Sequence, residues 1–246
     1  WRSFEAYPLL VALAGADSVQ VPITDDAARH DFAALASAIT DRTRVILLCS
    51  PNNPTGPAIR QGELADFLGA VPSDVLVVLD EAYVQFITDP EAARFEALDK
   101  DFPNLVSLRT FSKAYGLAGL RVGYAIARPR IAEAVRAAST PFGVNAAAQL
   151  AARVSLGMGE AMRERVAVIV GQRERMAEAL RGQGWNLPDA QGNFVWLPLG
   201  AQSAPFAQAA AAAGILVRPF DGEGVRVTAG EPEAIDALLE ITPSWL

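Results

Sequence analysis

The chain has 246 residues but only two lysines, Lys100 and Lys113, against nineteen arginines, so any chemistry that needs an ε-amine must use one of these two. Lys113 falls in the segment Thr110-Phe111-Ser112-Lys113-Ala114-Tyr115-Gly116-Leu117-Ala118-Gly119-Leu120-Arg121. A lysine forms a Schiff base near neutral pH only when its pKa is lowered, which burial and neighbouring cations do. Thr110, Ser112 and Arg121 supply two hydroxyls and a guanidinium, a set suited to a phosphate. The competing reading of an isolated Ser-Lys pair is a surface loop with a solvated lysine. Lys100, between Asp99 and Asp101, reads as a solvated loop charge. His30, the single histidine, sits between Arg29 and Asp31 and reads as a surface residue; any Ser-His-Asp or Cys-His scheme would have to run through it.

Two other clusters carry chemical potential. Asp80 follows the wholly apolar run Val75–Leu79. A carboxylate placed there is desolvated and calls for a cationic partner, for which a protonated pyridine nitrogen would serve; a helix cap or an ion pair with an arginine would serve equally. Tyr83 lies three residues on and would reach the same ligand if Asp80 to Tyr83 is a helical turn, although a packing aromatic is the plainer role. Asn53 sits in Pro51-Asn52-Asn53-Pro54-Thr55-Gly56, a turn signature whose amide is available to a ligand oxygen.

Positioning these residues requires a layered fold. Val45–Cys49, Val75–Leu79, Leu105–Leu108 and Leu120–Ala127 read as short buried strands, with Ser18–Ile23 as an earlier one. Helical stretches at Phe32–Ile39 and Gln61–Val71 intervene. Continuous Val/Ile/Leu strands alternating with helices predict an α/β fold, a mostly parallel sheet covered on both faces. The polar clusters fall just after strand C-terminal ends, where open α/β sheets bind ligands. Beyond them, long helices are expected at Ala146–Leu156 and Glu160–Arg181, stopped by Gly182–Gly184. A strand at Asn193–Leu197, a helix at Phe206–Ala213, strands at Ile215–Arg218 and Val225–Thr228 and a helix at Glu233–Ile241 complete a small α+β unit. The expected division is a large α/β domain over residues 1–150 and a connecting helix with a small C-terminal domain over residues 151–246.

Composition narrows the classes. Apolar residues are 51% and charged residues 20% of the chain, ordinary for a globular protein. No apolar run approaches the ~20 residues that span a bilayer. A net charge of −7 argues against nucleic acid as a main partner. With Cys49 as the lone cysteine, no disulfide can form within the chain; this fits a reducing, cytoplasmic compartment, and Cys49 itself reads as a small core residue. The opening Trp1-Arg2-Ser3-Phe4-Glu5 has no basic segment leading into an apolar one, and it starts without Met in mid-pattern, so a preceding segment is expected. No metal cluster is expected.

Taken in order, an asparagine turn, an aspartate, a tyrosine three later and Ser-Lys with an arginine eight further on resemble the aminotransferases of fold type I. Within them the chain resembles the histidinol-phosphate aminotransferase family. Ser3-Phe4-Glu5-Ala6-Tyr7-Pro8, the lysine segment and Asn193-Phe194-Val195-Trp196-Leu197-Pro198 resemble its aromatic (phenylalanine) aminotransferase branch, over essentially the whole chain. The resemblance implies pyridoxal 5'-phosphate as cofactor, a homodimer, and transamination between an aromatic amino acid and a 2-oxo acid. It implies that Lys113 carries the cofactor, Asp80 holds the ring N–H, Asn53 and Tyr83 bind its phenolic oxygen, and Thr110, Ser112 and Arg121 bind its phosphate. Trp1 falls where an aromatic stacks on the ring. Arg226 matches an arginine for the substrate carboxylate, Arg218 a second substrate-facing arginine, and Asn193 a pocket-lining asparagine. Histidinol phosphate as substrate, a decarboxylase or lyase on the same fold, and a non-catalytic chain of this fold remain open alternatives.

Overall fold

The computed structural model describes residues 2–24 and 28–246. In chain order the elements are α1 (Ala6–Leu13), α2 (Phe32–Ser37), β1 (Val45–Cys49), α3 (Gln61–Ala70), β2 (Leu76–Asp80), α4 (Phe95–Leu98), β3 (Leu105–Thr110), β4 (Gly123–Ile126), α5 (Pro129–Ala138), α6 (Ala146–Gly157), α7 (Gly159–Gln183), β5 (Phe194–Leu197), α8 (Ser203–Ala212), β6 (Arg218–Phe220), β7 (Gly224–Thr228) and α9 (Pro232–Ile241), with single 3-10 turns between some of them.

Strands β1, β2 and β3 are parallel neighbours, and β4 adds antiparallel to β3. Leu48, Val77, Leu79 and Leu105 are buried on this sheet and pack with Leu64, Phe67 and Leu68 of α3 and with Phe95 and Leu98 around α4. Because β1 to β3 run the same way, their C-terminal ends emerge at one edge. The turn 51–56, the Asp80 carboxylate and the segment after Thr110 therefore share that edge. The second sheet has the order β5-β7-β6 and is antiparallel throughout. Its inner face, Val195, Leu197, Val225 and Val227, packs on Met176 and Leu180 of α7, Phe206 of α8 and Ile235 and Leu238 of α9.

Helix α7 ties the two sheets together through Arg173, a fully buried cation. Its guanidinium donates to the carbonyls of Phe86 (2.8 Å) and Gly192 (3.0 Å) and to the Thr88 hydroxyl (3.2 Å). Gly184 stops the helix in the left-handed region at φ 109°, as the glycine-rich segment predicts. A second join is made by Gly56, at φ 106°. A Cβ there would stand 2.7 Å from the Asp189 carbonyl, so this close approach needs glycine.

The structure departs from the sequence-based expectations at several places. Residues 18–22 form no strand; Ile23 makes only an isolated bridge to His30, and Val19 is 74% exposed while Val21 is half-buried. The strand expected at Ile215–Arg218 begins only at Arg218, because the Ile215 N–H is taken by Ala210 at the end of α8. Helix α1, an apolar stretch with no side-chain cap, and α5, which opens on Pro129, carry weak sequence signals and are additions. His30 is half-buried rather than a surface residue: its Nε2 lies 3.0 Å from the Cys49 carbonyl, and burial lowers its pKa. Cys49 is buried, as expected of a core residue, and Lys100 is exposed.

Strand alternation separates the two acids at the end of β2. Asp80 faces the open edge, whereas Glu81 is 1% exposed and accepts from Ser107 Oγ (2.5 Å) and from Arg109 Nε (3.0 Å) and Nη2 (2.8 Å). Arg109, itself largely covered, reaches on to Glu96 at 2.6 Å. Removing one partner of a buried ion pair strands the other. Glu81→Ala is therefore expected to lower unfolding free energy by about 3 kcal/mol, read as a shifted urea midpoint at constant slope; a midpoint within error of wild type would refute this.

Candidate active site

The segment bearing Lys113 is held at two anchor points. Phe111 packs against Val122 of the strand approach and Ala148 and Ala152 of α6, and Ala114 packs with Tyr83, Phe86, Val166 and Phe194. Lys113 between them is exposed to the open cleft rather than buried as a Schiff-base lysine would be expected to be. Its Nζ lies 5.3 Å from the centre of the Tyr83 ring. Partial desolvation, Arg226 and Arg121 lower its pKa from the ordinary lysine value, and Asp80 opposes them. The two causes anticipated from sequence, burial and neighbouring cations, are thus both present, with the segment's walls covering the amine only in part.

Asp80 is half-buried and is held by two donors from the chain itself. Oδ2 accepts from the Tyr7 hydroxyl at 2.8 Å and Oδ1 from the Ala82 N–H at 3.0 Å. Burial raises the Asp80 pKa; the Tyr7 and Ala82 donors, and Lys113 nearby, pull it back. Tyr7 is buried and its phenol is held well above its ordinary range, mainly by burial, so it serves as a donor. Cys49 beside them is pushed up to about 12 by burial and remains a thiol. Sequence reading missed Tyr7. The signal was its place in Ser3-Phe4-Glu5-Ala6-Tyr7-Pro8, where helix α1 carries it to the end of β2. Phe4 packs edge-on against it, ring centres 5.6 Å apart, and stays 39% exposed.

The turn after β1 is tied down by Asn52, whose Nδ2 donates to the Arg2 carbonyl (3.0 Å) and to Thr55 Oγ1 (2.7 Å), while its Oδ1 accepts from Ser3 (2.7 Å). Its neighbour Asn53 is also buried. Asn53 Oδ1 accepts from Arg226 Nη1 at 2.5 Å, so the oxygen of this amide is taken and its N–H groups are the donors it can offer a ligand. Tyr83 is buried, meets Phe194 edge-on at 5.1 Å and has its phenol pushed up to about 12, chiefly by burial, with Arg226 opposing; it too is a donor at neutral pH. Arg226 Nε is buried without a hydrogen-bond partner, an orphan that an anion would satisfy.

The remaining expected residues lie around this centre. Thr110 and Ser112 are half-buried, and Thr110 Oγ1 accepts from the Ser112 N–H at 3.0 Å. Arg121 takes the left-handed region at φ 53°, uncommon for a residue with a side chain, and donates from Nη1 to the Ala118 carbonyl. Asn193 is half-buried at the start of β5, and its carbonyl accepts from the Ala229 N–H. Arg218 lies directly across from Arg226 in the β6–β7 ladder but is exposed and bound to Glu5. Trp1 lies outside the described residues. The described residues contain no group of three or more His, Cys, Asp or Glu placed to hold a metal ion. No helix among them is long and apolar enough to cross a membrane.

Comparison with known proteins places this geometry. Residues 2–241 match the family model described as aminotransferase class I and II. The chain is 56% identical over 242 residues to the aromatic amino acid aminotransferase of Streptomyces avermitilis, covering 98% of this chain and 67% of that protein. It is 53% identical over 245 residues to the protein of the same name from Thermobifida fusca, covering 100% of this chain and 68% of the relative. Among solved structures, histidinol-phosphate aminotransferase from Sinorhizobium meliloti in complex with pyridoxal-5'-phosphate superposes with a TM-score of 0.85 at 29% identity, over 98% of this chain and 67% of that one.

The Asp80 environment makes a pH prediction. A carboxyl whose folded pKa is raised binds its proton more tightly folded than unfolded. Its contribution to stability therefore falls as pH rises from the ordinary carboxylate range through the folded pKa. Because the Tyr7 hydroxyl opposes the rise, Tyr7→Phe is expected to move the Asp80 titration to still higher pH. Carbon-13 NMR of labelled aspartate would detect the displacement; a titration left in place would show that the hydroxyl does not tune this carboxyl.

Proposed function

Because the chain belongs to the class I and II aminotransferases, which work with pyridoxal 5'-phosphate, we propose that it moves an amino group from an aromatic amino acid to a 2-oxo acid. The observation that carries this reading is the donor set gathered at one sheet edge. Lys113 is the one amine in the cleft among the described residues, and Asp80, Asn53, Tyr83 and Arg226 surround it. Those groups fit the cofactor. Asp80, ionised, would hold the ring N–H. The free Asn53 amide and the protonated Tyr83 phenol would donate to its ring oxygen. Thr110, Ser112 and Arg121 would hold its phosphate. When bound, the cofactor supplies an electrophilic aldehyde and an electron-withdrawing ring.

The chain's own part in the reaction is binding, orientation and one proton. Arg226, with its orphaned Nε and its Nη1 fixed by Asn53, presents a positive charge to the carboxylate of the amino acid. Lys113 Nζ, with a lowered pKa, is available as the free amine at lower pH than an ordinary lysine. It acts as the general base that takes the proton from the substrate Cα. Phe194, Trp196 and Phe220 share the face of the small sheet that carries Arg226, and they favour an aromatic side chain there. Both similar relatives named above bear the name aromatic amino acid aminotransferase. Asn193, at the start of β5, lies beside that face and lines the substrate pocket on this reading.

The same reading divides the chain into a cofactor-binding part over residues 1–150 and a connecting helix with a small domain over residues 151–246. It also makes the active species a homodimer in the cytoplasm. Leu9, Leu10 and Leu13 of α1, Phe142, and Leu150 and Val154 of α6 form exposed apolar surface that a second subunit would cover. The lone cysteine is buried and unpaired.

The test is a single turnover. Cofactor-loaded protein mixed with phenylalanine is expected to lose its visible absorption band and release phenylpyruvate, with recovery on adding a 2-oxo acid. Lys113→Ala is expected to lack the band and to lose at least about a thousandfold in turnover, the scale of a missing general base. Release of carbon dioxide without a keto acid would overturn the proposal.

A further inference from the structure

Two arginines stand side by side on one face of the small sheet, and they are treated differently. Arg218 and Arg226 are direct cross-strand partners in the antiparallel β6–β7 pair, so their side chains leave the same face. Arg226 is held by a neutral group, the Asn53 carboxamide, and keeps a buried Nε without a partner. Its charge is uncompensated. Arg218 is compensated: its Nη2 binds the Glu5 carboxylate at 2.8 Å to Oε1 and 3.1 Å to Oε2. The segment that brings Glu5 there is itself fastened to the same sheet. Arg2 Nε donates to Glu223 at 3.0 Å in the turn between β6 and β7, and the Arg2 and Arg218 guanidinium groups both lie over the Phe220 ring, at 5.6 and 5.8 Å. Phe220 in turn meets Trp196 edge-on at 5.5 Å. The face thus offers one open cation, one neutralised cation, and aromatic surface between and around them.

We propose that Glu5 is a specificity-determining residue: by neutralising Arg218 it leaves Arg226 as the site's open cation. The site then favours amino donors whose anionic group is a single carboxylate over donors that present a phosphate, or a second carboxylate, to this pair of arginines. This rests on the reading of the cleft as an aminotransferase site. A phosphate, larger and more highly charged than a carboxylate, must displace Glu5 to engage Arg218 or else sit beside a like charge. The Glu5 and Arg218 side chains are 46% and 56% exposed, so the pair is weak enough to be displaced and sets a preference rather than a barrier.

The experiment compares the cofactor-loaded wild-type protein with Glu5→Gln. In Glu5→Gln, kcat/KM for histidinol phosphate is expected to rise relative to phenylalanine by about two- to fivefold, the range an exposed ion pair carries. Calorimetry supplies a readout apart from turnover: inorganic phosphate is expected to bind more tightly relative to 3-phenylpropionate by a similar factor. In an Arg218→Gln background the Glu5 substitution is expected to change neither ratio. Ratios that do not move in Glu5→Gln, or that move equally without Arg218, would overturn the role of Glu5. A wild type that prefers histidinol phosphate to phenylalanine would instead overturn the aromatic reading, whatever the Glu5 variants do.

Discussion

Arg226 belongs to the small sheet and Asn53 to the turn after β1, and the 2.5 Å bond between them spans the cleft. Most of the site's chemistry follows from it. The bond fixes the Asn53 carboxamide with its oxygen turned to Arg226 and its N–H groups turned away from that guanidinium. It holds a guanidinium close enough to Lys113 and Tyr83 to influence both, favouring the free amine in one case and opposing the burial of the phenol in the other. It also leaves one guanidinium nitrogen buried and unsatisfied, a cost that a bound anion would offset. Neither sheet alone contains such an arrangement.

The supports for that bond are themselves polar and buried, which fixes them in place. Asn52 bonds to both Arg2 and Ser3, so the approach to α1 and the turn at 51–56 hold each other. Arg173 gathers the Phe86 carbonyl and Thr88 hydroxyl from the segment after β2 and the Gly192 carbonyl from the approach to β5. Each of these groups is costly to bury alone and inexpensive when satisfied, so the network has few acceptable alternatives.

The strand ends that carry Asn53, Asp80, Tyr83 and Lys113 were legible because each lies a few residues beyond a run of buried Val, Ile and Leu, whereas Arg226 was singled out only by the resemblance to fold type I aminotransferases. Their partners were not. Tyr7 reaches Asp80 from a helix that begins without a cap, in an apolar stretch equally readable as a strand. The pairing of Glu5 with Arg218 joins residues 213 positions apart, and no local pattern encodes a contact at that range. His30 looked solvated because its sequence neighbours are charged, yet the chain folds its ring back onto the Cys49 carbonyl. Residues 18–22 show the opposite error: a strand-like sequence that forms no strand.

The adjacent acids Asp80 and Glu81 have a consequence for how this chain can vary. Successive side chains of a strand point to opposite faces, so a shift of one residue would exchange them. The longer acid would then enter the cleft and the shorter one would be left to reach Arg109 and Ser107, with the wrong length in both places. Insertions and deletions are therefore tolerable in the exposed segment 72–74 ahead of β2 but not within its five residues, Leu76–Asp80, or in the buried turn that follows with Glu81 and Tyr83. The strand acts as a ruler: its length, more than its composition, keeps the chemistry of the cleft separate from the ionic lock of the core.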